Sequence, residues 1–432
     1  MITRLTNIKR IIVRPTSSVL RFTEQESNPL QAGQELEVDY VLDGNFRRNG
    51  ERIRVSMQLL NIRENTSQWA EVFDEKLNDI LELEDSISER VAKSLITTLT
   101  GEEEKILSKR GTESAEAYET YLRGRFYWNQ FTPESLPKAL AAFEKAIEYD
   151  PNYALAYVGL ADFYNWAIIY GILPPGEFYA KSEAAALRAI ELDNRLGEAY
   201  ASLALIKESL WDWEEAERLY QKAIELNPNY SLAHEWYSSL MMETGRIEEG
   251  LEKVKYAESL EPLSTRAMTL TAWQSYQARH YAEAINKAHQ ITDLDKNYPQ
   301  GYLQLGNALI HVGRVEEAVV NAQKSAAMTP DSALPKYSLC FALVAAGRRE
   351  EAQAVLREMK ELAAKNYVKP YFLAMAHVAL EEYDAAFEYF ERAFAERDPW
   401  ITWFGTEPKL DVLRNDARFI KLFRSTGNPF AF

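Results

Sequence analysis

Six segments of this 432-residue chain recur at an interval of 34 residues. Aligning EEAERLYQKAIELNP, IEEGLEKVKYAESLEP, YAEAINKAHQ, VEEAVVNAQKSAAMTP, REEAQAVLREMK and DAAFEYFERAF superimposes Ala216, Gly250, Ala284, Ala318, Ala352 and Ala386. Twelve residues before each lies a second small residue: Ala204, Ser238, Ala272, Gly306, Cys340 and Ala374. Bulky side chains precede most of these (Leu203, Tyr237, Leu305, Leu339, Leu373), with Thr271 in the remaining unit. Pro228, Pro262 and Pro330 fall where the second helix of a unit must stop. A fixed period of this length means that each unit buries its apolar face against its neighbours rather than in one central core. Small residues at two fixed points allow two antiparallel helices to approach closely.

The period and its small, bulky and proline slots resemble the tetratricopeptide repeat. Two earlier units fit with insertions. KALAAFEKAIEYDP carries Ala139, Phe143, Ala146 and Pro151, paired with a first helix AEAYETYLRGRFYWNQ whose small slot is Gly124. AKSEAAALRAIELDN carries Ser182, Ala186 and Ala189, with Ala161 as partner. Its connecting loop, IIYGILPPGEF, is about nine residues longer than the period requires, and such a loop is either a passive extra turn or part of a binding side. The expectation is a mostly α chain: a superhelix (α-solenoid) of eight repeats over 115–399, a capping segment at 400–432, and a small α/β domain in front.

That front domain, residues 1–100, has a different rhythm. IIVRPTSS reads as a short strand, and VDYVLDGNFRRNGERIRVSMQLLNI as a hairpin turning at Arg48-Asn49-Gly50-Glu51, with Asn-Gly supplying positive φ angles. Arg52, Arg54, Ser56 and Gln58 alternate with Ile53, Val55, Met57 and Leu59, the pattern of a half-buried antiparallel strand. A turn at Arg63-Glu64-Asn65-Thr66, a third strand SQWAEVFDEKL and a helix DILELEDSISERVAKSLITTL complete it. The order and phrasing resemble the TolB amino-terminal-like domain that precedes tetratricopeptide repeats in bacterial regulators and class III adenylate cyclases, and the tail FGTEPKLDVLRNDARFIKLFRSTG resembles the cap ending such arrays. The chain opens at ITRLTNIKR, partway through the first helix of that domain and without its first strand. The resemblance implies an upstream effector: a winged-helix DNA-binding domain, a nucleotide cyclase or a kinase.

The residues give no reason to expect catalysis. His234, His280, His289, His311 and His377 never pair at helical ligand spacing, and the glycines of 171–176 lack the Lys-Ser/Thr of a phosphate loop. Cys340, the only cysteine, sits in a packing slot and reads as a small buried hydrophobe. Neither a metal nor a cofactor is expected. With 65 Asp and Glu against 49 Lys and Arg, the chain lacks the cationic excess that phosphate backbones attract, so direct nucleic-acid binding is not expected. No run of residues is long and apolar enough for a membrane helix. The expected compartment is the cytoplasm, or an extracytoplasmic one if a membrane helix lies upstream.

In this repeat family the first helix of each pair lines the concave face. Projecting positions next to the small slot onto that face gives a candidate peptide groove of Tyr121, Arg125, Asn129, Asn165, Glu208, Glu235, Trp273, Gln277, Asn307, His311, Tyr337, Phe341 and Tyr371. Aromatic residues with polar tips suit peptide recognition, although each also suits packing between helices. The positions three before the small slot contain no Lys, which disfavours a carboxylate clamp. The function expected is a protein-interaction scaffold, the sensory or assembly region of a bacterial regulator. The alternative is the C-terminal regulatory part of a cyclase or kinase polypeptide. Self-association through the edge of the amino-terminal sheet is a third expectation.

Overall fold

The computed structural model describes residues 5–6, 8–19, 22, 28–50, 52–76, 80–96, 98–130 and 134–431. The amino-terminal module contains helix α1 (Pro29–Glu35), strands β1 (Tyr40–Asn49), β2 (Arg52–Asn61) and β3 (Thr66–Lys76), and helices α2 (Ile80–Leu95) and α3 (Gly101–Ser108). The strands form an antiparallel sheet in the order β1-β2-β3. Ile53 and Leu59 are buried on one face of β2, while Arg52 and Arg54 point outward to Asp74 at 2.8 and 2.6 Å. Against that apolar face lies α2, whose Leu83, Ile87 and Val91 recur every four residues and pack with Trp69 and Phe73. Each of these buried side chains contributes roughly 1.5–3 kcal/mol, which is why α2 adheres to the sheet.

Two local expectations need correction. Asn49 pairs with Arg52, so the hairpin loop is Gly50 plus position 51, one residue later than expected. Gly50 alone of the Asn-Gly pair has positive φ, at 63°; Glu51 lies outside the described residues. IIVRPTSS is not a strand: 11–15 is irregular and Thr16–Val19 is a single helical turn. Its polar groups are satisfied elsewhere. The Arg14 guanidinium donates to the carbonyls of Ser259 (2.6 Å), Leu260 (3.0 Å) and Leu36 (3.0 Å), and Asn229 Nδ2 donates to the Ile11 carbonyl. The segment thereby straps the module to the helical array.

Eight helix pairs follow: α4 (Ala115–Gln130) with α5 (Leu136–Tyr149), α6 (Ala154–Ile169) with α7 (Pro175–Leu192), α8 (Gly197–Ser209) with α9 (Trp213–Leu226), and α10 (Ser231–Glu243) with α11 (Ile247–Leu260). They continue as α12 (Thr265–Gln277) with α13 (Tyr281–Leu294), α14 (Pro299–His311) with α15 (Val315–Met328), α16 (Ala333–Ala345) with α17 (Arg349–Ala363), and α18 (Pro370–Ala379) with α19 (Tyr383–Ala395). The small slots are tight. A Cβ on Gly124 would stand 2.6 Å from the Phe143 ring, and one on Gly250 2.4 Å from Met242 and 2.9 Å from the Ser238 carbonyl. Among the described residues no helix is long and apolar enough to cross a membrane.

A third periodic slot joins the helices of the third to eighth pairs. Trp211, Gly245, Arg279, Gly313, Gly347 and Glu381 lie 34 residues apart, and all have left-handed φ between 58° and 88°. Three are not glycine and carry the Cβ strain of that region, of order 1–2 kcal/mol each.

The array curls until its second and third pairs meet its eighth. The Tyr179 hydroxyl donates to the Arg397 carbonyl at 3.0 Å, Trp211 packs on Phe394 at 4.6 Å, and the Arg397 guanidinium lies 3.8 Å over Trp211. Gly171, in the long α6–α7 loop, sits against the stem of Lys369. That inserted loop therefore closes the curl.

Candidate functional site

The even-numbered helices α4 to α18 turn one face each toward the inside of this curl. Beyond α19 the chain bends sharply: Arg397 takes φ 57°, and the Asp398 carboxylate accepts the Trp400 amide. Two 3-10 stretches, Pro399–Gly405 and Pro408–Leu413, then cross the inner face before α20 (Ala417–Ser425) packs against α19 and the first of them. Residues 399–413, expected to cap the array, thus run back across its inner face.

Its start is pinned by Lys369, whose ammonium lies 2.9 Å from Asp398, both side chains fully buried. The Trp400 indole donates to the Ile169 carbonyl at 2.9 Å, and Thr402 Oγ1 donates to Glu243 at 2.7 Å. Glu407 accepts from the Tyr276 hydroxyl (2.8 Å) and Gln277 (3.1 Å). Lys409 donates to Asn307 Oδ1 at 2.7 Å and lies over the rings of Tyr276, Tyr337 and Phe341 at 5.1–5.6 Å, a cation–π arrangement. Burial lowers its pKa to about 8.

Most of the candidate groove residues are therefore already engaged. Trp273 faces Trp400 and Trp403 at 5.8 and 5.9 Å, and Tyr371 faces Trp400 at 5.9 Å. Gln277, Asn307, Tyr337 and Phe341 hold Glu407 and Lys409 as described. His311 stacks on Tyr281 at 4.5 Å, and its pKa is lowered to about 4, first by burial and then by Lys409. Glu208 accepts from the Tyr220 hydroxyl at 2.7 Å and lies beside Glu243; burial raises the pKa of both carboxyls.

At the start of the array the projection onto the groove fares worse. Tyr121 belongs to the core, between Phe143 (6.0 Å) and Tyr153 (5.2 Å), because the bulkier Phe143 fills the space under Gly124 and draws the ring inward. Asn165 is buried and ties helices together, donating to the Ser202 carbonyl and accepting from Ser182. Arg125 reaches Asp162 at 3.4 Å and covers Trp128 at 4.7 Å, and Asn129 is half-buried near the end of α4. The residues missed are those of the tail. Their signal was three aromatic residues in Trp400–Phe404, an apolar run outside the 34-residue register.

Between tail and helices a cavity of about 180 Å³ remains. Trp236, Trp273, Trp400 and Trp403 line it together with Glu235, Arg266 and Gln304. Arg266, Tyr298 and Gln300 are half-buried, so it reaches solvent on their side.

The tetratricopeptide-repeat family matches residues 197–230 and 371–396, the third and the eighth helix pairs. Putative adenylate cyclase 3 of Rhizobium meliloti is 29% identical over 223 residues, 50% of this chain and 37% of that protein. Transcriptional regulator HilA of Salmonella typhimurium is 26% identical over 178 residues, 41% of this chain and 32% of that one. The matched region thus spans about a third of each relative. Among solved structures, yeast Tom70 aligns with TM-score 0.46 and 17% identity, over 72% of this chain and 68% of that one. YrrB, described as a tetratricopeptide protein with an unusual peptide-binding site, aligns with TM-score 0.31 and 18% identity, over 45% of this chain and 95% of its own. Period, paired helices and both family matches identify the array as one of tetratricopeptide repeats, a superhelix preceded by a small α/β module.

Proposed function

We propose that this chain is a non-enzymatic protein-binding region of a bacterial regulator, and that its groove takes an extended protein segment. The observation carrying the reading is the occupant already present. Residues 399–413 lie there as two short 3-10 stretches without α-helix or strand pairing, held by Trp273, Gln277, Asn307, Tyr337 and Tyr371. Aromatic anchors with one carboxylate and one ammonium at fixed spacing are what a partner segment would reproduce. The amino-terminal module is read as a TolB amino-terminal-like domain, and the compartment as the cytoplasm. The similarity to a putative adenylate cyclase and to a transcriptional regulator supports a regulatory setting.

A synthetic peptide of residues 399–413 tests the groove. Added to a chain carrying Trp400→Ala, Trp403→Ala and Lys409→Ala, it binds one to one, and Trp273→Ala with Tyr337→Ala abolishes binding. Absence of saturable binding to a folded triple variant refutes the reading.

A second reading is favoured by the relatives' extra length: the chain is the regulatory end of a cyclase or kinase polypeptide. An open reading frame continuing upstream into such a domain decides for it. Pairing of two copies through the amino-terminal sheet is also proposed, since β1 and β3 each have one unpaired edge among the described residues. Light scattering that reads a monomer at high concentration eliminates it.

A further inference from the structure

One carboxylate lining the cavity under the tail has an oxygen without a partner. Glu235 is 2% exposed and uses one oxygen to contact Arg266. The same guanidinium also donates to Glu261 at 2.9 Å, so one cation is shared by two carboxylates. Glu235 Oε1, the other oxygen, is buried without a hydrogen-bond partner. The nearby ammonium does not correct this, because Lys409 is engaged with Asn307 and balanced by Glu407. Gln304 Oε1 and Glu243 Oε2, both buried, are further oxygens without a partner among the lining residues. Five tryptophans share the lining: Trp166, Trp236, Trp273, Trp400 and Trp403.

A cavity that stays empty is apolar, and one of about 150 Å³ accommodates benzene. This one is slightly larger, at about 180 Å³, and sets the carboxyls of Glu208, Glu235 and Glu243 among aromatic walls. The unpartnered Glu235 oxygen asks for an N–H donor, best one carrying positive charge, while indole faces attract a cation and bury an apolar body. We infer that this cavity is a binding site for a small organic cation: a primary or secondary amine on an apolar ring or short chain, its nitrogen at Glu235 and its body among the tryptophans. The tail forms a wall of this site rather than competing for it, so the inference does not rest on the peptide reading. Burial already raises the Glu235 pKa to about 7, with Glu261 and Glu258 raising it further and Arg266 opposing. A bound ammonium therefore expels the proton that this carboxyl partly holds at neutral pH.

Titration calorimetry on the full chain with three isosteres tests this: 2-phenylethylamine, 2-phenylethanol and 3-phenylpropionate. The amine binds one to one and at least about tenfold tighter than the other two, a difference of about 1.4 kcal/mol. Glu235→Gln abolishes that preference without abolishing binding of the alcohol. Should that variant fail to fold, the unaltered chain still decides: at pH 6.5 the amine releases protons, read as a heat that changes with the buffer's ionisation enthalpy, and the alcohol releases none. No saturable amine binding, equal or tighter binding of the alcohol or the acid, or amine binding without proton release overturns the inference.

Discussion

Replacing Lys369 by Met leaves the shape of the tail's anchor almost unchanged and removes its charge. The stem that packs on Gly171 is retained, but the Asp398 carboxylate is then left fully buried, with the Trp400 amide as its remaining donor. Breaking a buried ion pair by removing one partner costs about 3–5 kcal/mol, because the surviving charge is uncompensated. At about 1.4 kcal/mol per tenfold, this raises the population with residues 398–413 released by roughly 10² to 10³·⁵. Native-state hydrogen exchange reads the change at the amides of Ile401 and Leu410, which are bonded to the Asp398 and Glu407 carbonyls. Adding Asp398→Asn removes the stranded charge and preserves the cap on Trp400, so the double variant recovers most of the lost protection. The reasoning is refuted if Lys369→Met exchanges within a factor of about two of the parent, or if the double variant is as labile as the single.

Glu208→Gln flattens the pH dependence of stability. Burial raises the folded-state pKa of Glu208 and Glu243 above that of the unfolded chain. The folded form then holds protons the unfolded chain releases, so stability is lost as pH rises from the ordinary carboxylate range, by up to about 1.4 kcal/mol per unit for each retained proton. Urea midpoints of variant and parent should diverge in the variant's favour between pH 5 and pH 8. Glu381→Gly relieves left-handed strain at a side chain that reaches Arg349 only at 3.8 Å, and stabilises by up to about 1 kcal/mol. Arg279→Gly relieves the same strain but loses the bonds to Asp411 and the Thr406 carbonyl, and thermal melts place it below Glu381→Gly. Gly250→Ala destabilises by about 1–3 kcal/mol, because one contact is backbone; Gly306→Ala, whose nearest neighbour is the Ala322 methyl at 3.2 Å, costs less. Cys340, buried and raised to about 12, reacts with a thiol reagent only as fast as the chain unfolds.

What could be read in the sequence was whatever repeats or alternates. Ala216 to Ala386 gave the helix pairs because each small slot reports a contact twelve residues away, and the alternation from Arg52 to Leu59 gave β2 and its buried face. The left-handed slot was equally periodic but disguised, since glycine fills only half of it and Trp211, Arg279 and Glu381 the rest. The hairpin shifted by one residue because pairing of Asn49 with Arg52 outweighs the preference of Asn-Gly for the turn centre. IIVRPTSS looked like a strand because its apolar start was visible, whereas the carbonyls that capture Arg14 lie some 245 residues further on. The tail was illegible for the same reason. Trp400 meets Ile169 across 231 residues, and no local pattern encodes such a partner.

That last distance also governs when the molecule can be completed. A tetratricopeptide array ordinarily adds one unit to the next, so each pair can dock as it leaves the ribosome. Here the Ile169 carbonyl, Gln277, Asn307 and the Glu208–Glu243 pair receive their final neighbours from residues 400–409. The inner face consequently stays wet and unfinished until residues 400–409 are translated. Any ribosome that stops near residue 395 releases a ring of helices with its acidic, aromatic interior open to the first protein that fits.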